Sequence, residues 1–186
     1  MAQKNESPNL IWVDCEMTGL DLTKDVLVEI AVLVTDSELN ILGEGVELVI
    51  KATADQLAGM NEFVTNMHTE SGLITEIPNG VELAAAEAEI IAYLEKYAPG
   101  AGKSPLAGNS VGTDRSFIAR DMPLLNAYLH YRTIDVSSIK ELARRWYPRV
   151  YFAAPKKTGN HRALGDIRDS IEELEYYRKA IFIPNN

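Results

Sequence analysis

Two carboxylates close an apolar run in the segment Leu10-Ile-Trp-Val-Asp14-Cys15-Glu16. Four consecutive apolar residues read as a strand buried on both faces. Side chains two apart on a strand share a face, so Asp14 and Glu16 point one way and Cys15 the other. Paired carboxylates on a buried strand repel each other and resist desolvation. A divalent cation relieves both problems, because hard cations take carboxylate oxygens. Asp-x-Glu by itself is also an ordinary strand end turning into solvent. The metal reading therefore depends on further acids elsewhere in the chain.

Two such acids stand at helix starts. Asp114 follows the glycine-rich loop Gly108-Asn-Ser-Val-Gly-Thr113, and Asp166 lies in the first turn of the last helix. Each also has a structural use alone, since acids near a helix N-terminus complement its dipole. His161 precedes Asp166 by five residues. On one helix the two would sit roughly 140° apart at about 100° per residue. That assigns His161 to the basic loop before the helix, where a histidine suits general-base work near neutral pH. Glu29, inside the second strand, is either a fifth site carboxylate or a hydrogen-bonded structural acid.

The elements that must position these residues follow from periodicity and punctuation. Strands are expected near 10–16, 26–35, 41–50, 105–108 and 131–136, the first three as an antiparallel meander. Helices are expected at 61–70, 81–97, 114–121 and 163–182. Another starts at Ser138, with Glu141 completing a capping box. That helix is read as burying Ile139, Leu142, Ala143 and Trp146, and residues 150–160 as a loop. Residues 1–8 read as a disordered lead-in and 9–183 as one α/β domain with a mixed five-stranded sheet flanked by helices.

Composition narrows the class. The 186 residues are 46% hydrophobic and 24% charged, an ordinary globular balance. A single cysteine excludes an internal disulfide and a cysteine-rich zinc site, and fits a reducing compartment. The N-terminus has no signal-peptide pattern and no apolar run reaches a membrane span, so a cytoplasmic protein is expected. The net charge of −9 argues against coating long nucleic acid. Lys140, Arg144, Arg145, Arg149, Lys156, Lys157 and Arg162 nevertheless cluster in one region. They form either a solvated helix face or a phosphate-attracting rim.

Three segments in order carry a resemblance: Asp14-Cys-Glu16, Gly-Asn-Ser-Val-Gly-Thr-Asp114 and His161-Arg-Ala-Leu-Gly-Asp166. They resemble the three motifs of the DEDDh 3′→5′ exonuclease family. Asn-Leu-Ile-Trp-Val-Asp-Cys-Glu-Met-Thr-Gly-Leu, Val-Thr-Asp-Ser-Glu-Leu-Asn-Ile-Leu, His-Tyr-Arg-Thr-Ile-Asp-Val-Ser and Lys-Glu-Leu-Ala-Arg-Arg-Trp are similar to its oligoribonuclease branch. The resemblance spans residues 9 to about 182. It implies an RNase H-like fold, a homodimer, and 3′→5′ hydrolysis of short RNA, down to dinucleotides, to 5′-mononucleotides. It implies two divalent cations per site, Mg²⁺ or Mn²⁺, held by Asp14, Glu16, Asp114 and Asp166, with His161 as the base.

It further implies that Leu20 and Phe63 sandwich the bases, with Phe63 where many relatives have Trp, and that His68 lies near the nucleotide. Tyr131 reaches the partner subunit's site. Arg132, Ser137 and Ser138 cap the 5′ phosphate, and Ser110 lines that end. Thr133 and Gly165 depart from the residues common in relatives, Tyr and Asp, without touching a catalytic position. Three rivals are a DNA-proofreading or tRNA-trimming exonuclease, a small-molecule phosphodiesterase with the same metals, and a non-catalytic binding module. A binding module is usually marked by loss of a carboxylate, and all four are present.

Overall fold

The computed structural model describes residues 7–155 and 162–183. The strands are β1 (Leu10–Met17), β2 (Leu27–Thr35), β3 (Ile41–Val49), β4 (Pro105–Gly108) and β5 (His130–Asp135). Between β3 and β4 lie α1 (Ala54–Ala58), α2 (Glu62–Glu70), α3 (Leu73–Glu76), a 3₁₀ turn (Ile77–Asn79) and α4 (Leu83–Tyr97). α5 (Gly112–Asp121) and α6 (Pro123–Tyr128) precede β5, and α7 (Val136–Trp146), α8 (Pro148–Phe152) and α9 (Ala163–Ile181) follow it.

The sheet order is β3-β2-β1-β4-β5, with β1 in the middle. β1 pairs antiparallel with β2, and β2 with β3, while β1, β4 and β5 run parallel. This is the mixed RNase H-like sheet that the sequence implies. Strand β2 is buried at every position and β1 at all but Asp14, hence their continuous apolar runs.

Two apolar layers sandwich the sheet. Ile11, Val13 and Cys15 of β1 pack with Ile90 and Leu94 of α4, Phe117 of α5 and Leu125 of α6. Leu10 and Trp12 point to the other face, against Ile167, Ile171 and Leu174 of α9 and Val136 of α7. The alternation along β1 therefore aims Asp14 and Glu16 at the α9 side.

Three expectations need correction. α7 begins at Val136, not beside Ser138, because the Asp135 carboxylate accepts the Ser137 N–H at 2.9 Å and caps the helix three residues before Ser138. Trp146 is 66% exposed and Leu142 is 42% exposed. The buried stripe of α7 runs instead through Val136 and Ala143, and Trp146 in the last turn overhangs it. Part of the segment 150–160 is helical, since Pro148 at the first position of α8 suits a helix start. The lead-in expected at 1–8 lies outside the described residues except for Ser7 and Pro8, which are exposed.

Candidate active site

The carboxyl ends of the three parallel strands meet at one end of the sheet, where open α/β sheets bind ligands. There β1 delivers Asp14 and Glu16. The packing of α9 on Leu10 and Trp12 brings its first turn, with Asp166, over the same strand end. One carboxylate oxygen from each of Asp14, Glu16 and Asp166 lies within 4.8 Å of the others. Asp114, in the first turn of α5, is 7% exposed and accepts the Cys15 N–H at 3.0 Å. It stands next to the trio and adds its field to Glu16.

Burial, with Glu29, Asp166 and Asp114 adding like charge, pushes the Glu16 carboxyl up to about 8 against the opposing pull of Arg162. Burial likewise raises Asp114 to about 6, opposed by hydrogen bonds from backbone N–H groups. The Cys15 thiol is raised by burial first and then by Asp114, so it stays protonated and serves packing. Three or four crowded, partly desolvated acids form an all-oxygen donor set, which suits a hard divalent cation.

Glu29 resolves as a structural acid. It is fully buried and accepts the Ala163 N–H at 3.0 Å and the Arg162 Nε–H at 2.9 Å. Glu47 accepts the Leu164 N–H at 3.0 Å. Helix α9 makes no side-chain cap hydrogen bond of its own, and β2 and β3 supply its caps from across the sheet. That anchors the turn that carries Asp166. Ser170 Oγ–H then donates to the Asp166 carbonyl at 2.7 Å and accepts from Asn109 Nδ2 at 2.8 Å, tying α9 to the loop after β4.

Beyond the acids, an open cleft of roughly 490 Å³ is lined by Leu20, Leu22, Ser110, Thr113, Phe117, Asp135 and Ser137, among others. Its size suits a small ligand. Ser110 takes a left-handed backbone, φ +55°, and its N–H donates to both Asp135 Oδ1 and Ser137 Oγ at 2.9 Å. Gly108, at φ +157°, lets β4 turn into this loop. A Cβ there would come within 2.9 Å of the Val13 carbonyl oxygen and 2.6 Å of Val111.

The remaining predicted residues divide. Leu20 and Phe63 are each 75% exposed, as base-stacking side chains need. Tyr131, Arg132 and Ser138 are exposed as well, and the Arg132 guanidinium lies 5.4 Å from the Tyr131 ring centre. His68 is fully buried. Its Nε2–H donates to the Met17 carbonyl at 2.9 Å, and Nδ1 lies 4.0 Å from Glu16 Oε2. In this structure it abuts the acid cluster and does not face the open cleft. His161, Lys156 and Lys157 lie outside the described residues.

Comparison with known proteins bears on this geometry. Residues 11–174 match the family described as Exonuclease. A protein of Streptomyces avermitilis named oligoribonuclease is 62% identical over 175 residues, covering 94% of this chain and 88% of its own. One from Rhodococcus jostii, also so named, is 63% identical with the same shares covered. The chain belongs to the oligoribonuclease family. It is therefore a nuclease, a hydrolase. The zinc-bound form of the Escherichia coli exonuclease I–ssDNA complex shares the fold, with a TM-score of 0.73 at 17% identity. Exonuclease I from Methylocaldum szegediense has a TM-score of 0.68 at 20% identity. Each of these alignments covers 94% of this chain, which spans only 41% of those longer chains.

Within this oligoribonuclease-family chain, some of the basic cluster proves structural. Lys140 pairs with buried Glu173 at 3.0 Å, Arg144 and Arg145 pair with Glu141, and Arg162 pairs with Glu29 and Glu76. Several cleft residues escaped the sequence reading, among them Leu22, Thr113, Ser116, Phe117 and Asp135. Asp135 had a usable signal, since an aspartate two residues before Ser137 is a natural helix cap.

Proposed function

We propose that this chain is a 3′→5′ exoribonuclease that hydrolyses short oligoribonucleotides, down to dinucleotides, to 5′-mononucleotides, through one domain at residues 9–183. The observation that carries the reading is the convergence of Asp14, Glu16 and Asp166, with Asp114 close enough to add its field, at the carboxyl end of β1. The names of the relatives favour RNA as the substrate.

Asp14, Glu16, Asp114 and Asp166 would hold two divalent cations, Mg²⁺ or Mn²⁺. When bound, these supply a polarised phosphate and a water activated for attack. His161 takes the proton of the attacking water. Leu20 and Phe63 sandwich the bases, Leu20 by apolar contact and Phe63 by stacking, as any aromatic face can. Arg132, Ser137 and Ser138 cap the 5′ phosphate and Ser110 lines that end, with His68 near the nucleotide from behind Glu16. The N-terminus of α5, at Gly112 and Thr113, adds backbone N–H groups to the cleft wall. A closed 5′ end explains a preference for short chains, since a longer one must displace the cap.

A homodimer, with Tyr131 reaching the partner subunit's site, is supported by exposed Tyr131, Trp146, Tyr147 and Phe152. A cytoplasmic location is supported by the single, free Cys15. Among the described residues, no helix is long and apolar enough to cross a membrane.

Two variants test the roles together. Asp14→Ala abolishes hydrolysis and weakens Mn²⁺ binding in calorimetry while the protein stays folded. His161→Ala loses rate by about 10²–10⁴-fold, the usual range for a general base, and keeps Mn²⁺ binding. An active Asp14→Ala protein removes the metal-site assignment. Loss of Mn²⁺ binding in His161→Ala makes that residue a ligand.

A further inference from the structure

Leu20 sits on the loop between β1 and β2, and this loop folds around one buried carboxylate. Asp25 is 7% exposed and accepts the Asp21 N–H at 2.8 Å and the Thr18 hydroxyl at 3.4 Å. It also packs on Gly19, where an added Cβ would stand 2.3 Å from Asp25 Oδ2. Thr18 N–H closes the loop onto the Val26 carbonyl at 3.0 Å, and Asp25 N–H donates to the Asp21 carbonyl at 2.8 Å. These bonds shape the loop internally, but they do not fix it to the rest of the molecule.

Arg120, at the end of α5, reaches it from outside. Its Nη1 donates to the Leu22 carbonyl, and its Nη2 donates to the Asp25 carbonyl at 2.8 Å. The guanidinium is held by Asp121 through two bonds of 2.6 Å and lies 4.9 Å from the Phe117 ring centre. Leu20, Leu22 and Phe117 all line the cleft. We propose that Arg120 is a positioning residue that clamps the 18–25 loop to α5 and so holds Leu20 over the substrate cleft. Helix α5 also carries Asp114, so the clamp ties the base-contacting wall to the helix of a catalytic acid. The proposal rests on the reading of Leu20 as a base contact. Lysine cannot replace the arginine, because only a planar fork reaches two carbonyls, a carboxylate and a ring face at once.

The test is a double-mutant cycle in dinucleotide kinetics, with amide hydrogen exchange of the loop measured alongside. Leu20→Ala is expected to raise KM by about fivefold or more. Arg120→Ala is expected to raise KM by a smaller factor, with kcat within about twofold, and to speed exchange at residues 20–25 without changing exchange in β1 and β2. In the Leu20→Ala background, Arg120→Ala should add no further KM increase. Arg120→Lys keeps the charge but not the planar fork, so it serves if the alanine variant does not fold, and its KM should lie between wild type and Arg120→Ala. Unchanged loop exchange in both Arg120 variants overturns the clamp itself. A full, additive KM effect in the Leu20→Ala background overturns its action through Leu20. An unchanged KM in Leu20→Ala overturns the base-contact reading, and the clamp's role in substrate binding with it, even where exchange shows the clamp is real.

Discussion

At the scale of single residues, Glu16 sets the conditions for the chemistry. Burial and its acidic neighbours raise its carboxyl to about 8, far above the ordinary 4.5. Between those values the folded protein holds a proton that the unfolded chain has lost. Stability of the metal-free protein therefore falls as pH rises from about 5 to 8, since the folded state binds more protons there. Asp114, raised to about 6, adds to the lower part of the window with the same sign. A cation competes with these protons, so its stabilising effect grows over the same range. Melting curves in chelator and in Mg²⁺ at pH 5.5, 7 and 8.5 check this. The expected result is a midpoint that falls with pH in chelator and a gap between the two curves that widens. A gap independent of pH contradicts the assignment.

Much of this scale was legible in the residues themselves. The i, i+2 spacing of Asp14 and Glu16 gave their shared face, and Cys15 points away as that spacing requires. The role of Glu29 could not be settled that way. A buried strand acid looks the same whether it meets a cation or a backbone N–H, and only the docking of α9 decides between them. Asp135 was missed for a similar reason. Ser138 with Glu141 satisfies a local capping pattern, but the aspartate two residues before Ser137 closes the helix first.

At the scale of elements, α9 depends on its neighbours for its start. Arg162 makes no cap for it, and Glu29 and Glu47 receive the Ala163 and Leu164 N–H groups. Glu29→Ala removes a buried acceptor and leaves Arg162, whose side chain is 28% exposed, with only Glu76 among these partners. Losing the cap and the pair should cost about 3 kcal/mol in chemical unfolding and also loosen the turn that holds Asp166. Glu29→Gln keeps an oxygen for the Ala163 N–H and should recover part of that stability. Equal stability of Glu29→Ala and wild type contradicts the capping role. The antiparallel pairing of the first three strands was readable from their closeness in sequence, whereas caps contributed from across the sheet leave no mark in local sequence.

At the scale of the whole molecule, exposed aromatics mark a surface that the sequence suggested was core. Trp146 looked like part of an amphipathic stripe, yet it is 66% exposed, beside Tyr147 at 47%. Periodicity cannot distinguish a core-facing stripe from one that meets another chain. If the proposed homodimer uses this surface, Trp146→Glu should convert it to monomer in sedimentation velocity and, by separating Tyr131 from the partner subunit's site, lower dinucleotide hydrolysis. A monomeric wild-type protein with full activity contradicts the assembly.

The central claim is that the acid cluster and the open cleft serve very short RNA. It is tested most directly by digesting end-labelled RNAs of two to twenty nucleotides with Mg²⁺ and Mn²⁺ in parallel. The account predicts the highest kcat/KM on the dinucleotide, falling as the chain lengthens, with either metal. Rates on twenty-nucleotide RNA equal to or above those on the dinucleotide contradict it.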